Sequence, residues 1–130
     1  MKTVYIDTSA LGRVLLDEPD KAAIQRDLAK FDNRVASRLL RVELRRVGLR
    51  RELLDRVNTL VADISLVPID GQILTATETL TPSPVGTLDA IHLATALRLS
   101  REGGLDALMT YDKQLADGAR AHGLAVLSPA

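Results

Sequence analysis

The feature that most constrains the fold is an alternation of short apolar runs with longer helical patterns along the whole chain. Short runs rich in β-forming residues predict strands at 3–6, 64–69, 105–110 and 124–127, and a weaker strand at 34–36. Helical patterns separate these runs. Strands that alternate with helices imply a parallel sheet covered by helices on both faces. We therefore expect a three-layer α/β/α fold with a central, mainly parallel sheet of about five strands.

Length and composition exclude several classes of protein. The 130 residues suit a single domain over 1–130, with a core built from aliphatic side chains because the chain has only two Tyr, one Phe and no Trp. The absence of Cys removes disulfides and zinc–thiolate sites. No apolar run approaches the ~20 residues of a membrane span, and the N-terminal residues do not resemble a signal peptide. We expect a cytoplasmic protein that does not bind membranes.

Four acidic residues occupy positions that the predicted topology brings to one edge of the sheet. Asp7 and Asp112 each follow a strand, and ligands of open α/β sheets bind outside the carboxyl ends of the strands. Asp89 opens the most apolar helix, and Glu43 lies inside an arginine-rich helix. Two carboxylates about 4 Å apart repel by roughly 4 kcal/mol at an effective dielectric of 20, so a divalent cation would stabilise the group. Oxygen ligands without Cys favour Mg²⁺ or Mn²⁺ over zinc, which points to metal-assisted phosphodiester chemistry.

Each of these acids, taken alone, also has a structural explanation. Asp7 and Asp112 can cap the helices that follow them. Asp89 lies in a first helical turn, where the helix dipole favours an anion by about 0.3–1 kcal/mol. Glu43 can pair with Arg46, three residues further along the same helix. The order and spacing of all four acids is the stronger evidence for a shared site.

The arginines are concentrated in one part of the chain. Eight fall between Arg34 and Arg56, although the formal net charge of the whole chain is zero. Such a stripe either positions a phosphate backbone or forms a solvated helix face with internal ion pairs. Composition alone favours the solvated face.

Four sequence blocks carry the acids, namely 4–11 (VYIDTSAL), 36–44 (ASRLLRVEL), 88–96 (LDAIHLATA) and 108–115 (LMTYDKQL). Together these blocks closely resemble the PIN-domain family, and specifically the VapC-type toxins of bacterial toxin–antitoxin pairs. The resemblance covers essentially the whole chain, and all four acidic positions are filled. It implies a PIN-like form of the α/β/α fold.

The resemblance further implies a metal-dependent endoribonuclease that cleaves structured RNA, usually tRNA or ribosomal RNA. It implies a homodimeric toxin that a cognate VapB-type antitoxin inhibits. The catalytic residues and ligands of one or two Mg²⁺ or Mn²⁺ ions would be Asp7, Glu43, Asp89 and Asp112, with Asp7 and Asp89 the firmest. Hydroxyl side chains that would orient these carboxylates or contact the phosphate are Thr8, Ser9 and Thr110. Arg46 and Arg50 would contact RNA or the antitoxin.

The remaining alternatives differ in what they require of particular positions. A haloacid-dehalogenase-type phosphatase needs a second Asp two residues after the first, where this chain has Ser9. A response-regulator receiver needs a Lys after its fifth strand, and residues 124–130 contain none. His92, near Asp89, either touches substrate or, as we favour, is a hydrogen-bonded partner within a central helix. The serious rival is a non-catalytic RNA- or partner-binding module on the same scaffold.

Overall fold

The computed structural model describes residues 1–130, which form five strands and seven helices. The strands are β1 (Thr3–Ile6), β2 (Asn33–Ser37), β3 (Ser65–Val67), β4 (Ala107–Met109) and β5 (Val126–Leu127). The helices are α1 (Thr8–Leu15), α2 (Lys21–Leu28), α3 (Arg38–Arg51), α4 (Leu54–Val61), α5 (Gly71–Glu78), α6 (Thr87–Arg101) and α7 (Lys113–Ala121). Every predicted strand is present, and the last three are shorter than the sequence pattern indicates.

All strands belong to one parallel sheet with the order β3-β2-β1-β4-β5. The chain proceeds from β1 to β2 and β3 on one side, and then returns to place β4 and β5 on the other side of β1. The direction of winding therefore reverses between β1 and β4, whose register sets Ile6 opposite Met109. A crevice opens at such a switch point, beyond the carboxyl ends of the two strands.

The alternation of side chains in β1 and β4 divides the interior into two cores. Val4, Ile6 and Met109 belong to the larger core, which α1, α2, α3 and α4 cover. Tyr5 and Leu108 point to the opposite face and pack against α6 and α7. Both faces of the sheet are thus covered, and the predicted three-layer α/β/α fold is confirmed.

Helix α6 is central, because the middle of the helix is buried almost all round. Its buried positions run from Ala90 through Leu97, with Ile91 partly exposed. No side chain caps its N-terminus at Gly86, so Asp89 in the first turn is the charge that complements the helix dipole there. The helix therefore carries a polar N-terminal turn into the region beside the switch point.

All four strand-to-helix turns are closed by the side chain of the residue just before the helix, and before α5 this residue is Asp70, which accepts a hydrogen bond from Ile73 N. Asp7 accepts a hydrogen bond from Ser9 N, Ser37 from Leu39 N, and Asp112 from Leu115 N. The capping explanation for Asp7 and Asp112 is therefore correct, and it does not prevent either carboxylate from serving a site. Each cap uses only one of the two carboxylate oxygens.

None of the seven helices combines the length and the apolar character that crossing a bilayer requires.

Candidate active site

The four predicted acids meet at the carboxyl end of β1 and β4. Asp7 directly follows β1 and is only 3% exposed. Asp112 lies just after β4, the strand that pairs with β1. His92 on α6 lies between Asp7 and Glu43, with its Nε2 atom 3.5 Å from Asp7 Oδ1 and 2.8 Å from Glu43 Oε1. Asp89 is close enough to Asp112 and Asp7 for their charges to raise its pKa. Strands β1 and β4 and helices α3 and α6 thus each contribute one acid to one site.

Hydroxyl groups hold the carboxylate of Asp7 in place. Its Oδ2 atom accepts hydrogen bonds from Ser9 Oγ at 2.6 Å and from Thr110 Oγ1 at 2.8 Å. Ser9 Oγ in turn accepts one from Tyr111 N at 2.8 Å, which ties the start of α1 to the end of β4. Asp7 Oδ1 accepts no hydrogen bond, and it is the oxygen that remains available to a ligand.

Glu43 is held by Thr8 and His92 rather than by an arginine. Its Oε1 atom accepts hydrogen bonds from Thr8 Oγ1 at 2.6 Å and from His92 Nε2 at 2.8 Å. Partial burial opposes ionisation of Glu43, but these two donors outweigh burial and lower its pKa. Arg46 forms no bond with Glu43, so the structural explanation through that pair is wrong.

The ionised form of Asp89 is disfavoured in these surroundings, because the pKa of this carboxyl group is raised. Partial burial, followed by the neighbouring carboxyl of Asp112 and the charge of Asp7, raises the pKa of Asp89 to about 7. Asp112 uses Oδ1 to accept the capping bond from Leu115 N at 2.9 Å, and its Oδ2 accepts none. A carboxyl group in these surroundings is stabilised either by a proton or by a cation placed among the acids.

The donor set fits a hard divalent cation in its chemistry. Uncommitted carboxylate oxygens come from all four acids, and no thiol is present. In the arrangement of side chains seen here, however, no three His, Asp or Glu groups converge on one point that would hold a metal ion. Binding of one ion by several of the acids therefore requires some side-chain rotation.

His92 is buried and fully hydrogen-bonded, as the sequence interpretation favoured. Its ring lies between the hydroxyl of Tyr5, 2.7 Å from Nδ1, and the carboxylate of Glu43. The sequence interpretation missed the contact with Glu43. A signal was present, because a residue three positions after Asp89 shares its face of the helix.

The arginines divide into paired and unpaired groups. Arg34 and Arg56 form ion pairs with Asp63 and Asp17, and Arg45 bonds to Asn58. Arg46 and Arg50, by contrast, are exposed and form no ion pair. They follow Glu43 at i+3 and i+7, so they extend along the same face of α3 away from the acids.

Comparison with known proteins identifies the family. The sequence matches the PIN domain over residues 4–121. It is 36% identical over 136 aligned residues to ribonuclease VapC46 of Mycobacterium tuberculosis, covering 99% of each chain. The fold is similar to that of a toxin–antitoxin complex from Klebsiella pneumoniae, with a TM-score of 0.73, 21% identity and 98% coverage of each chain. It is also similar to M. tuberculosis VapC20, a sarcin-ricin-loop-cleaving toxin, with a TM-score of 0.73, 15% identity and coverage of 97% and 99%. The chain belongs to the PIN domain family and, within it, is similar to the VapC ribonucleases.

Proposed function

We propose that this single-domain protein is a metal-dependent endoribonuclease and the toxin of a toxin–antitoxin pair. The observation that carries the proposal is the gathering of Asp7, Glu43, Asp89 and Asp112 at the switch point, where no Lys or Arg pairs with any of them. Relatives that are named ribonucleases at 35–36% identity over nearly the whole chain support it.

The four acids would hold one or two Mg²⁺ or Mn²⁺ ions. Such an ion supplies Lewis-acid polarisation of the scissile phosphate and a bound water of lowered pKa. The residues of the chain prepare the site for this role. Ser9 and Thr110 fix one oxygen of Asp7, and Thr8 fixes one oxygen of Glu43, so each carboxylate keeps its other oxygen for the ion.

The proposed substrate is structured RNA such as tRNA or ribosomal RNA. A toxin of similar fold cleaves the sarcin-ricin loop, which supports a structured target. The exposed, unpaired Arg46 and Arg50 lie on the face of α3 that leads away from Glu43, where they would contact phosphates. Because the chain has only three aromatic residues, recognition would rest on phosphate contacts and RNA shape more than on base stacking.

The proposed partners are a VapB-type antitoxin and a second copy of the chain. The similar fold in a toxin–antitoxin complex supports the first. Arg46 and Arg50 are also candidates for contact with the antitoxin.

Cleavage of total bacterial RNA by the purified, antitoxin-free protein tests the proposal. We expect discrete fragments with Mg²⁺ or Mn²⁺, none with EDTA, and at least about a hundred-fold slower cleavage by Asp7→Asn, since even residues that only support a metal ligand cost 10–100-fold. Asp106→Asn, which changes the same charge at the other end of the sheet, is the control and should cleave normally. Intact RNA in every lane with a folded protein would overturn the proposal.

A non-catalytic RNA- or partner-binding module is the second candidate. It is favoured by the observation that no three side chains converge on one metal position. In that case RNA binding would be equal in EDTA and in Mn²⁺, and Asp7→Asn would bind RNA as tightly as the wild type.

A further inference from the structure

We propose that Tyr5 and His92 act as a buried hydrogen-bonded pair that orients Glu43 for cation binding. The inference rests on the proposed function, because it assumes that Glu43 is a metal ligand. It adds two positioning residues, neither of which touches the cation or the RNA.

Tyr5 is the third residue of β1, the central strand of the sheet, and its side chain is fully buried. Its hydroxyl oxygen accepts a hydrogen bond from Ser37 N at 3.1 Å. Its own proton then has His92 Nδ1, 2.7 Å away, as its acceptor. A phenol hydroxyl is protonated at neutral pH, so the Tyr5 hydroxyl is the donor in this hydrogen bond.

The hydrogen bond with Tyr5 determines which ring nitrogen of His92 acts as the acceptor. A neutral imidazole carries one proton, so a ring that accepts at Nδ1 donates at Nε2. Nε2 lies 2.8 Å from Glu43 Oε1, and its next neighbours are Thr8 Oγ1 at 3.4 Å and Asp7 Oδ1 at 3.5 Å. The Tyr5 hydroxyl, as donor at Nδ1, and the Glu43 carboxylate, as acceptor at Nε2, therefore favour the same tautomer.

The hydrogen bonds to Glu43 fall on one oxygen of its carboxylate. Oε1 of Glu43 receives two donors, His92 and Thr8, whereas Oε2 receives none. Such a carboxylate has one occupied side and one free side, and the free oxygen is the one available to a cation. Histidine thereby performs for a carboxylate the orienting role that outer partners perform for metal ligands generally.

The position of Ser37 adds to this arrangement. Ser37 is the N-cap of α3, the helix that carries Glu43. The Tyr5 hydroxyl therefore contacts the α3 region at two places, directly at the N–H of the N-cap residue and indirectly through the carboxylate of Glu43. A His within the apolar part of α6 needs such partners, because an unpaired polar group in a core is destabilising. The partners of His92, however, are Tyr5 and the site residue Glu43, and neither belongs to α6. The buried Thr95, by comparison, bonds to the carbonyl of Ile91 in its own helix.

Two replacements of His92 separate positioning from packing. The amide nitrogen of Gln falls near the position of Nε2 and can still donate to Glu43, whereas the amide of Asn falls near Nδ1 and cannot reach it. Calorimetric titration with MnCl₂ alone should show affinity close to wild type for His92→Gln and about 10–100-fold weaker affinity for His92→Asn. Leu97→Ala, a core truncation further along α6, is the control for lost stability and should leave Mn²⁺ affinity unchanged.

Tyr5→Phe provides an independent readout that does not require the Asn variant to fold. Nitrogen-15 NMR of the wild-type imidazole should show a protonated Nε2 and an unprotonated Nδ1. In Tyr5→Phe the Nε2 proton should remain, because Glu43 still accepts it, but Nδ1 loses its donor, so the nitrogen-15 resonance of Nδ1 should shift and Mn²⁺ affinity should fall.

The outcomes distinguish this inference from the proposed function. If the wild type binds Mn²⁺, and His92→Asn and Tyr5→Phe bind it equally well, the inference is overturned and the proposed function stands. An Nδ1–H tautomer in the wild type overturns the inference as well. If the folded wild type binds no Mn²⁺ at all, the metal-dependent function and the inference fall together.

Discussion

Acidic residues at the two ends of the parallel sheet behave in opposite ways. At the amino end, Asp32 accepts a hydrogen bond from Lys2 N at 2.8 Å and Asp106 accepts one from Thr3 N at 2.7 Å. These two acids are exposed, and each fastens one strand to its neighbour. At the carboxyl end the acids are partly or fully buried, and burial together with the neighbouring Asp112 and Asp7 raises the pKa of Asp89 to about 7. The same residue type therefore secures the sheet at one end and forms an electrostatically unfavourable cluster at the other.

The difference lies in where positive charge is available. Elsewhere in the molecule most ion pairs join an Arg or Lys to an Asp, as in Arg13 with Asp20 and Arg98 with Asp70. The four site acids have only hydroxyl groups, backbone N–H groups and His92 as donors. A cluster that lacks any fixed cation is one that a mobile cation would stabilise.

The largest expected difference between the carboxyl and amino ends of the sheet is in how a bound metal ion stabilises the folded protein. At a Mn²⁺ concentration one hundred times its dissociation constant, the free energy of unfolding of the wild type should rise by about 2.7 kcal/mol. Asp89→Asn should lose most of this gain because it removes a carboxylate from the cluster. Asp32→Asn, the same change at the amino end, should keep the gain. Urea unfolding with and without MnCl₂ measures all three, and an equal loss in both variants would contradict the comparison.

The next effect is a pH dependence that belongs only to the carboxyl end. Since burial and the nearby carboxyls raise the pKa of Asp89 to about 7, the folded state holds a proton that the unfolded state loses near pH ~4. The unfolded state thus binds fewer protons between about pH 4 and 7, and stability falls as the pH rises through this window. Because Asp89 is only partly buried, solvent screening should reduce the loss to about 1–2 kcal/mol.

The variant Asp89→Asn isolates this term. Glu43 has a lowered pKa, so its contribution is present above its unfolded pKa and is lost as the pH falls. Subtracting the variant's profile from that of the wild type cancels Glu43 and leaves Asp89. In metal-free buffer the two profiles should diverge between pH 4 and 7 and run parallel above pH 8. Parallel profiles throughout would remove the electrostatic argument for the cluster.

The sequence predicts the sheet and the meeting of the acids for the same physical reason. Parallel strands joined by helices leave all their carboxyl ends at one edge, so residues directly after strands, such as Asp7 and Asp112, must meet there. Local chemistry also predicts the caps at Ser37 and Asp112, because an N-cap depends on a few adjacent residues.

Contacts between distant elements are harder to predict. Helical spacing offers Arg46 as an alternative, structural partner for Glu43, but α3 turns that glutamate inward to His92, which is 49 residues away. Whether Glu43 pairs with Arg46 or with His92 depends on how α3 and α6 pack on the sheet. That packing is set by the core residues on both faces of the sheet. Helical periodicity places Arg46 and Glu43 on one face but carries no information on that register.

A smaller effect should mark the amino end alone. Asp106→Ala removes the acceptor for Thr3 N and should cost about 1 kcal/mol of stability, the typical net value of one hydrogen bond. It should leave Mn²⁺ affinity unchanged, because Asp106 precedes β4 while the site lies beyond its other end. Chemical unfolding and calorimetry on the same sample test both statements. A matching change in Mn²⁺ affinity would mean that the two ends of the sheet are coupled.

The smallest effect concerns the basic face that leads to the carboxyl end. Arg46→Ala should weaken RNA binding a few-fold and reduce the salt dependence of binding by about one phosphate contact, while cleavage at saturating RNA stays near wild type. Arg26→Ala removes the same charge from an exposed position on α2, which packs on α1, and should change neither quantity. Equal losses in the two variants would show that only net charge matters. A loss confined to Arg46 would mean that RNA approaches the acids along α3, because both variants change the overall charge by the same amount.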